Sequence, residues 1–258
     1  MISVIRQKRG EIDSCYTMVY ETCSDRQLIS MLTDNDAQQR SVAATLLGER
    51  GVTECIAALC EQLSKEKSLY SKIAMSNSLA RFGTTAISYL EKYIGKINKN
   101  QHERLPSDLF RKKNYPLPRD IVIRTIIRME APALHYLQDL LTHDDTSMVS
   151  EIIDAIGYLT FYTKDYCALN DVLVLFDKSE QWELIRWKLI RAFQGFPQVE
   201  VIRRLEAVLL ESKIPAHRWE AVRSLVQINT VETRRIAGMG LNDSHPLVVE
   251  MVNVAMKF

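Results

Sequence analysis

Metal binding or nucleophilic catalysis in this 258-residue chain would depend on five histidines and five cysteines, which are scattered along the sequence. They are His102, His135, His143, His217 and His245, with Cys15, Cys23, Cys55, Cys60 and Cys167. No two cysteines have C-x-x-C spacing, and no histidine has a cysteine or carboxylate at the spacing of a known metal-ligand motif. Phosphate-binding loops, dinucleotide fingerprints and nucleophile-elbow motifs are also absent from the sequence. We therefore predict a protein that is not an enzyme, with no catalytic residue, no cofactor and no metal site.

Two tryptophan–arginine pairs are candidates for binding a partner. Trp187 and Arg191 recur 32 residues later as Trp219 and Arg223, each pair within an R-W-x-x-x-R motif. Tryptophan and arginine are the residue types that most often carry binding energy at protein interfaces. We expect both pairs to project from the side of their helices that faces away from the core. The alternative is that each ring packs against a neighbouring helix while each arginine covers its own helix face.

A basic insertion over residues 96–118 offers a second candidate surface. Its lysines and arginines outnumber its acidic residues, and they are interleaved with prolines and aromatic residues. Such a segment could grip phosphates or an acidic protein surface. The competing interpretation is a solvated loop whose Phe110 folds back on the rest of the chain. The candidate contact residues here, with one nearby arginine, are Arg111, Lys112, Lys113 and Arg124.

The elements that must position these residues follow from a pattern that recurs seven times, every 30 to 37 residues with one longer gap. Its anchors are Arg40, Lys72, Arg119, Val149, Arg186, Arg218 and Val249. Apolar residues stand three positions after each anchor, at Ala43, Met75, Val122, Ile152, Leu189, Ala221 and Val252. Others stand seven positions after it, at Leu47, Leu79, Ile126, Ile156, Phe193, Leu225 and Met256. This pattern predicts stacked helical hairpins that bury their apolar faces only against one another.

The repeat therefore predicts an all-α fold of about seven helical hairpins, with each anchor in the second helix of its hairpin. Polar turns between the helices hold aspartates that should cap the helix that follows. An N-terminal cap helix is expected at about 11–23, and the whole of 1–258 is expected to form one repeat domain. The repeats fall at about 25–51, 52–84, 85–130 (with the insertion 96–118), 131–160, 165–196, 197–229 and 230–258.

One segment, residues 32–51, resembles a HEAT repeat of the short, phycobilisome-lyase-like type. The resemblance implies a right-handed α-α superhelix of the HEAT/armadillo kind, with the second helices lining a concave face. It does not imply one function, because HEAT arrays serve as scaffolds, adaptors, inhibitors and occasionally enzymes. The residues that carry the resemblance are Leu32, Asp34, Arg40, Ala43, Ala44, Leu47 and Gly48.

Composition narrows the classes of partner. The formal net charge is only +1, so no global field draws the protein to nucleic acid or to anionic lipid. The first residues hold charges where a signal peptide needs an apolar run, and no apolar stretch is long enough to span a membrane. The cysteine count is odd and fits small buried residues in a reducing compartment. We expect a cytoplasmic protein that does not act at a membrane or on nucleic acid.

The leading functional hypothesis is a non-enzymatic protein–protein interaction module, acting as a scaffold, an adaptor or an inhibitor of the immunity type. Its partner would be another protein, of unknown identity, held on the concave face or by the insertion. The alternative is a nucleic-acid-binding protein related to HEAT-like DNA glycosylases, for which Asp154 beside Trp187 would be the only candidate carboxylate. A third hypothesis, a chromophore-lyase-like role, is suggested by the family name alone.

Overall fold

The computed structural model describes residues 3–97, 100–109, 111 and 114–257. Every regular element in these ranges is a helix, and none of these residues lies in a β-strand. The all-α prediction is confirmed. Over the same ranges, no helix combines the length and the apolar character that crossing a bilayer would require.

Within the described residues, seven helical hairpins follow the N-terminal segment, as the repeat pattern predicts. That segment forms two short helices instead of the single cap helix expected at about 11–23. The N-terminal helices are α1 (Val4–Lys8) and α2 (Ser14–Met18). The first three hairpins are α3 (Asp25–Met31) with α4 (Ala37–Arg50), α5 (Ile56–Lys65) with α6 (Leu69–Arg81), and α7 (Ile87–Leu90) with α8 (Ile121–Ile126). The other four are α9 (Ala131–Asp139) with α10 (Thr146–Thr163), α11 (Leu169–Lys178) with α12 (Glu183–Ala192), α13 (Val199–Glu211) with α14 (Pro215–Ile228), and α15 (Val231–Gly238) with α16 (Pro246–Ala255).

The chain divides into two compact units. The N-terminal unit comprises Met1–Ile97 and Arg124–Ala133, and the C-terminal unit comprises Asn98–Ile123 and Leu134–Phe258. In the N-terminal unit, α4 packs beside α6. In the C-terminal unit, α10, α12, α14 and α16 pack side by side in chain order. The second helices of successive hairpins are therefore neighbours within each unit.

The core forms where the repeat places apolar residues. All the residues three positions after the anchors are buried, and so are those seven positions after them, except the last. Met256 is the exception, with 48% of its surface exposed, because α16 ends at Ala255. The apolar positions of the repeat are therefore buried in every hairpin, except where the last helix ends.

Aspartates begin several of the second helices, as expected. The Asp36 carboxylate accepts the backbone N–H of Gln38 at 2.9 Å, and Asp145 accepts those of Ser147 and Met148 at 3.0 and 3.3 Å. These bonds satisfy amides that have no partner within the helix.

Two anchor arginines join one hairpin to the next. Arg40 on α4 grips both carboxylate oxygens of Glu66, at 2.7 and 2.8 Å, just before α6 begins. Arg218 on α14 grips Asp243, at 2.6 and 2.8 Å, just before α16. Each arginine also donates to a backbone carbonyl of its own hairpin, at Asp34 and Ser212 respectively. The anchors thus hold the turn of one hairpin to the turn of its neighbour.

Candidate functional site

The two tryptophans singled out by the sequence lie side by side in the C-terminal unit. Trp187 is on α12 and Trp219 on α14, with ring centroids 6.1 Å apart in an edge-to-face arrangement. Only 1% of Trp187 and 2% of Trp219 is exposed. The expectation that both rings project into solvent is therefore wrong. The helix α12 lies between α10 and α14, and α14 lies between α12 and α16, so side chains at the seams between these second helices are covered although they face away from the first helices.

The arginine of each tryptophan–arginine pair is also buried, contrary to the same expectation. The Arg191 guanidinium lies 4.3 Å from the centre of the Trp187 ring and pairs with Asp154 on α10. Arg223 pairs with Glu220 at 2.7 Å and donates to the side chain of Gln194 at 3.2 Å. Only 3% of each arginine is exposed. That these four residues bind a partner stays a prediction, and exposure no longer supports it.

Lys188 completes the ionic network around these arginines. Its ammonium group lies 2.7 Å from Glu151 and 3.1 Å from Asp154, and none of its side chain is exposed. The network thus holds three cations and three carboxylates on α10, α12 and α14. We call these six residues, together with the two tryptophans, the charged face: Glu151, Asp154, Trp187, Lys188, Arg191, Trp219, Glu220 and Arg223.

The pKa values of the three carboxylates of the charged face shift in different directions. Burial raises the pKa of Glu151 and the pKa of Glu220, because a carboxylate loses its hydration there. Burial alone would also raise the pKa of Asp154, but Arg191 and Lys188 outweigh it and bring that pKa below its ordinary value. Asp154 is therefore the carboxylate most firmly held in its ionised form.

The insertion covers the charged face. We call residues 100–109, 111 and 114–120 the strap; they are the described part of the insertion from position 100 onward, together with Arg119 and Asp120. The His102 ring packs edge-on against Trp187, with centroids 5.4 Å apart, and the carbonyl of Asn114 accepts a bond from Arg223 at 3.4 Å. The expected loop is thus folded back on the helices.

Tyr115 is the most deeply buried aromatic residue of the strap. Its ring lies against Tyr158 and Phe161 on α10, at centroid distances of 6.2 and 5.8 Å, and only 3% of the residue is exposed. Gly157 lies under its hydroxyl group, inside α10. The helix α10 continues past Gly157 to Thr163.

Part of the polar surface buried here is unmatched. Among the described residues, the Tyr115 hydroxyl, the indole N–H of Trp187, and one carboxylate oxygen each of Glu151 and Glu220 lack a hydrogen-bond partner. Burying a polar atom without a partner costs about 1–3 kcal/mol. The strap therefore shields the charged face from solvent without supplying a hydrogen-bond partner for every polar atom that it buries.

The other candidate contact residues are dispersed. Arg111 is exposed on the strap and pairs with Glu250 on α16, while Arg124 is half-buried on α8 in the N-terminal unit. Lys112, Lys113 and Phe110 lie outside the described residues. The structure therefore brings four of the eight candidates together. Arg111 belongs to the same unit as these four, and Arg124 belongs to the other unit.

A further cluster escaped the sequence analysis. One potential ligand atom from each of His135, Asp165 and Cys167 lies within 4.8 Å of the others. The repeat gave no signal for this cluster, because His135 and Cys167 are 32 residues apart while the anchors of their hairpins, Val149 and Arg186, are 37 apart. Partial desolvation, and then a hydrogen bond with Asp165, raises the pKa of the Cys167 thiol to about 11.

Comparison with known proteins adds little to this picture. No protein-family model and no curated protein matches the sequence. One similar solved structure, an engineered protein from the Northeast Structural Genomics Consortium, has 16% identity and a TM-score of 0.39, over 90% of this chain and 95% of that one. A second engineered protein from the same consortium has 15% identity and a TM-score of 0.42, over 98% of this chain and 72% of that one. The HEAT resemblance of residues 32–51 accordingly stays a resemblance.

Proposed function

We propose that this chain is a non-enzymatic protein-binding module and that the charged face is its binding surface. The strap occupies this surface in the free protein and gives way to a segment of the partner. The observation that carries the proposal is the composition of the charged face: paired tryptophans and arginines beside carboxylates, covered by a segment without helix or strand in its described residues.

The energetics of the charged face favour binding over a purely structural role. Buried ion pairs rarely stabilise a fold more than apolar residues of the same volume would. A network of six charges with some unmatched atoms is therefore an expensive way to fill a core. Such departures from good packing concentrate at functional sites, and tryptophan and arginine are the residues that binding sites favour.

The strap is suited to displacement because none of its described residues lies in a helix or a strand. Its contacts with the helices include those of the His102 ring, the Tyr115 ring, the Asn114 carbonyl and the Arg111 side chain. Irregular segments held mainly by side chains open at lower free energy than packed helices.

The contacts of the strap also define the partner that would replace it. An extended segment is needed, with an aromatic side chain to lie over Gly157 and a main-chain carbonyl to meet Arg223. A basic residue at its end would meet Glu250. We propose that the partner is a protein that presents such a segment, which suits a scaffold, an adaptor or an inhibitor.

A labelled synthetic peptide of residues 100–120 tests this proposal by fluorescence anisotropy. We expect it to bind the Tyr115→Ala variant more tightly than the unaltered protein, because the substitution weakens the strap that competes with it. Adding Arg223→Ala should weaken that binding again, with helical content unchanged in circular dichroism. If the peptide binds none of these proteins, the charged face does not accept a segment and the proposal is wrong.

A nucleic-acid role is the second candidate, because Asp154 and Trp187 do lie on the same face. Asp154 is already paired with Lys188 and Arg191, so its carboxylate is neutralised and covered. Binding to duplex DNA that weakens steeply with salt, together with base release lost in Asp154→Asn, would replace the protein-binding proposal with this one.

A further inference from the structure

We propose that His135, Asp165 and Cys167 form a zinc-binding site on the surface of the C-terminal unit. Each residue offers one ligand atom, and the three atoms lie within 4.8 Å of one another. The site is separate from the charged face and does not depend on the proposed displacement of the strap.

The geometry needs little adjustment to accept the metal. Bonds of about 2.0–2.3 Å in a tetrahedral zinc site place ligand atoms roughly 3.3–3.8 Å apart. His135 and Cys167 are exposed, so rotation of their side chains can close the remaining distance without moving the backbone. The cluster is therefore close to a zinc site before any metal binds.

The backbone around the cluster is already organised. Asp165 and Cys167 belong to the turn that follows α10. This turn begins at Lys164, the residue after the end of α10, whose backbone is left-handed with a φ of 59°. One carboxylate oxygen of Asp165 accepts the backbone N–H of Cys167 at 3.0 Å. That bond holds the Asp165 side chain against the backbone of Cys167, and the other carboxylate oxygen can face a metal.

Gln138 holds the His135 ring beside the turn that carries Cys167. Its side-chain oxygen lies 3.2 Å from Nδ1 of His135, and its amide nitrogen donates to the Cys167 carbonyl at 3.1 Å and to Asp171 at 2.9 Å. When Nδ1 donates its hydrogen to Gln138, Nε2 carries the lone pair that binds a metal. Metal-binding histidines are commonly oriented by such a hydrogen bond on the other ring nitrogen.

The ligand types select zinc. A thiolate, an imidazole and a carboxylate together suit Zn²⁺, whereas Mg²⁺ and Ca²⁺ prefer oxygen ligands alone. Three protein ligands leave the fourth position to water or to a side chain of another protein.

Calorimetric titration of the chelator-treated protein with zinc chloride tests the site, and cobalt(II) reports on its ligands. We expect one equivalent of zinc to bind, and cobalt to give the near-ultraviolet band of a thiolate bound to that metal. Cys167→Ser should abolish the band, and His135→Gln should abolish saturable zinc binding. Gln138→Ala should weaken zinc binding by about 10- to 100-fold, because it removes only the positioning bond.

Cys15→Ser is the matched control, because Cys15 is also an exposed cysteine but lies far along the sequence from the cluster. It should leave both the zinc affinity and the cobalt band unchanged. The proposal is overturned if the unaltered protein binds no zinc at micromolar concentrations. It is equally overturned if Cys167→Ser and His135→Gln bind zinc as the unaltered protein does.

Discussion

The ring of Tyr115 lies over Gly157, and its hydroxyl group occupies the space that a Cβ atom at position 157 would need. The Cα atom of Ala192, on the adjacent helix α12, would be only 2.9 Å from the same Cβ. Because residue 157 is a glycine, both the helix α12 and the strap can approach α10 at this point. Any larger residue there would push at least one of them away.

Gly157→Ala should destabilise the protein by about 1–3 kcal/mol, because overpacking at this contact forces α12 or the strap to move. The cost should exceed the gain of about 0.5–1 kcal/mol that alanine brings to a helix interior. Chemical denaturation measures the change, and hydrogen exchange should rise in the strap. Gly238→Ala is the control, because no atom lies within 4 Å of its added Cβ, and it should not destabilise.

Tyr115→Phe should leave stability unchanged or raise it slightly. The hydroxyl is buried without a hydrogen-bond partner among the described residues, so removing it also removes a desolvation cost of about 1–3 kcal/mol. Tyr115→Ala should instead destabilise by about 3 kcal/mol, since the ring is lost. Thermal and urea denaturation of both variants would show the contrast. Equal losses in the two variants would mean that the hydroxyl makes a bond of its own.

Lys188→Met should cost about 3–5 kcal/mol, because it leaves Glu151 buried without its cation. The substitution nearly preserves side-chain volume, so the loss reports on charge more than on packing. Urea denaturation at neutral pH is the measurement. Lys178→Met, at an exposed lysine on α11, should change stability by no more than about 0.5 kcal/mol. Similar small effects from both would mean that the network contributes little.

The pair between Arg218 and Asp243 should make stability depend on pH. The hydrogen bonds from Arg218 lower the pKa of Asp243 below its ordinary value. The stability from this pair is therefore complete above about pH 5 and falls as the pH drops through about 4 toward the lowered pKa. Asp243→Asn should cost about 1.5–3 kcal/mol at pH 7 and progressively less in acid. A difference that stays constant from pH 7 to pH 3 would rule out this linkage.

Periodicity predicted the helices and their core because both depend on local spacing. Positions such as Leu47 and Leu225 face the partner helix whatever lies elsewhere in the chain, and both are buried. The pattern could not predict the fate of Trp187 and Trp219. Their burial depends on neighbouring second helices and on an insertion far away in the sequence, and no helical period encodes such contacts.

One local signal could have improved the prediction of the site. A glycine inside a helical pattern, such as Gly157, often marks the close approach of another segment. The meeting of His135 with Cys167 was not encoded in the repeat, because these residues are 32 apart while the anchors of their hairpins are 37 apart. The pairing of Asp154 with both Lys188 and Arg191 had no such signal, because it depends on side-chain packing across two helices.

The ion pairs between Arg40 and Glu66 and between Arg218 and Asp243 affect how the repeats unfold. Repeat proteins unfold by losing repeats from an edge inward, at a cost set by the interface between neighbours. Each link strengthens one such interface, in the first hairpins of the N-terminal unit and in the last hairpins of the C-terminal unit. The fourth hairpin has Val149 in place of the arginine and cannot form this link. Fraying is thereby penalised at the first hairpin of the N-terminal unit and at the last hairpin of the C-terminal unit, so each of these hairpins should melt with its neighbour rather than before it.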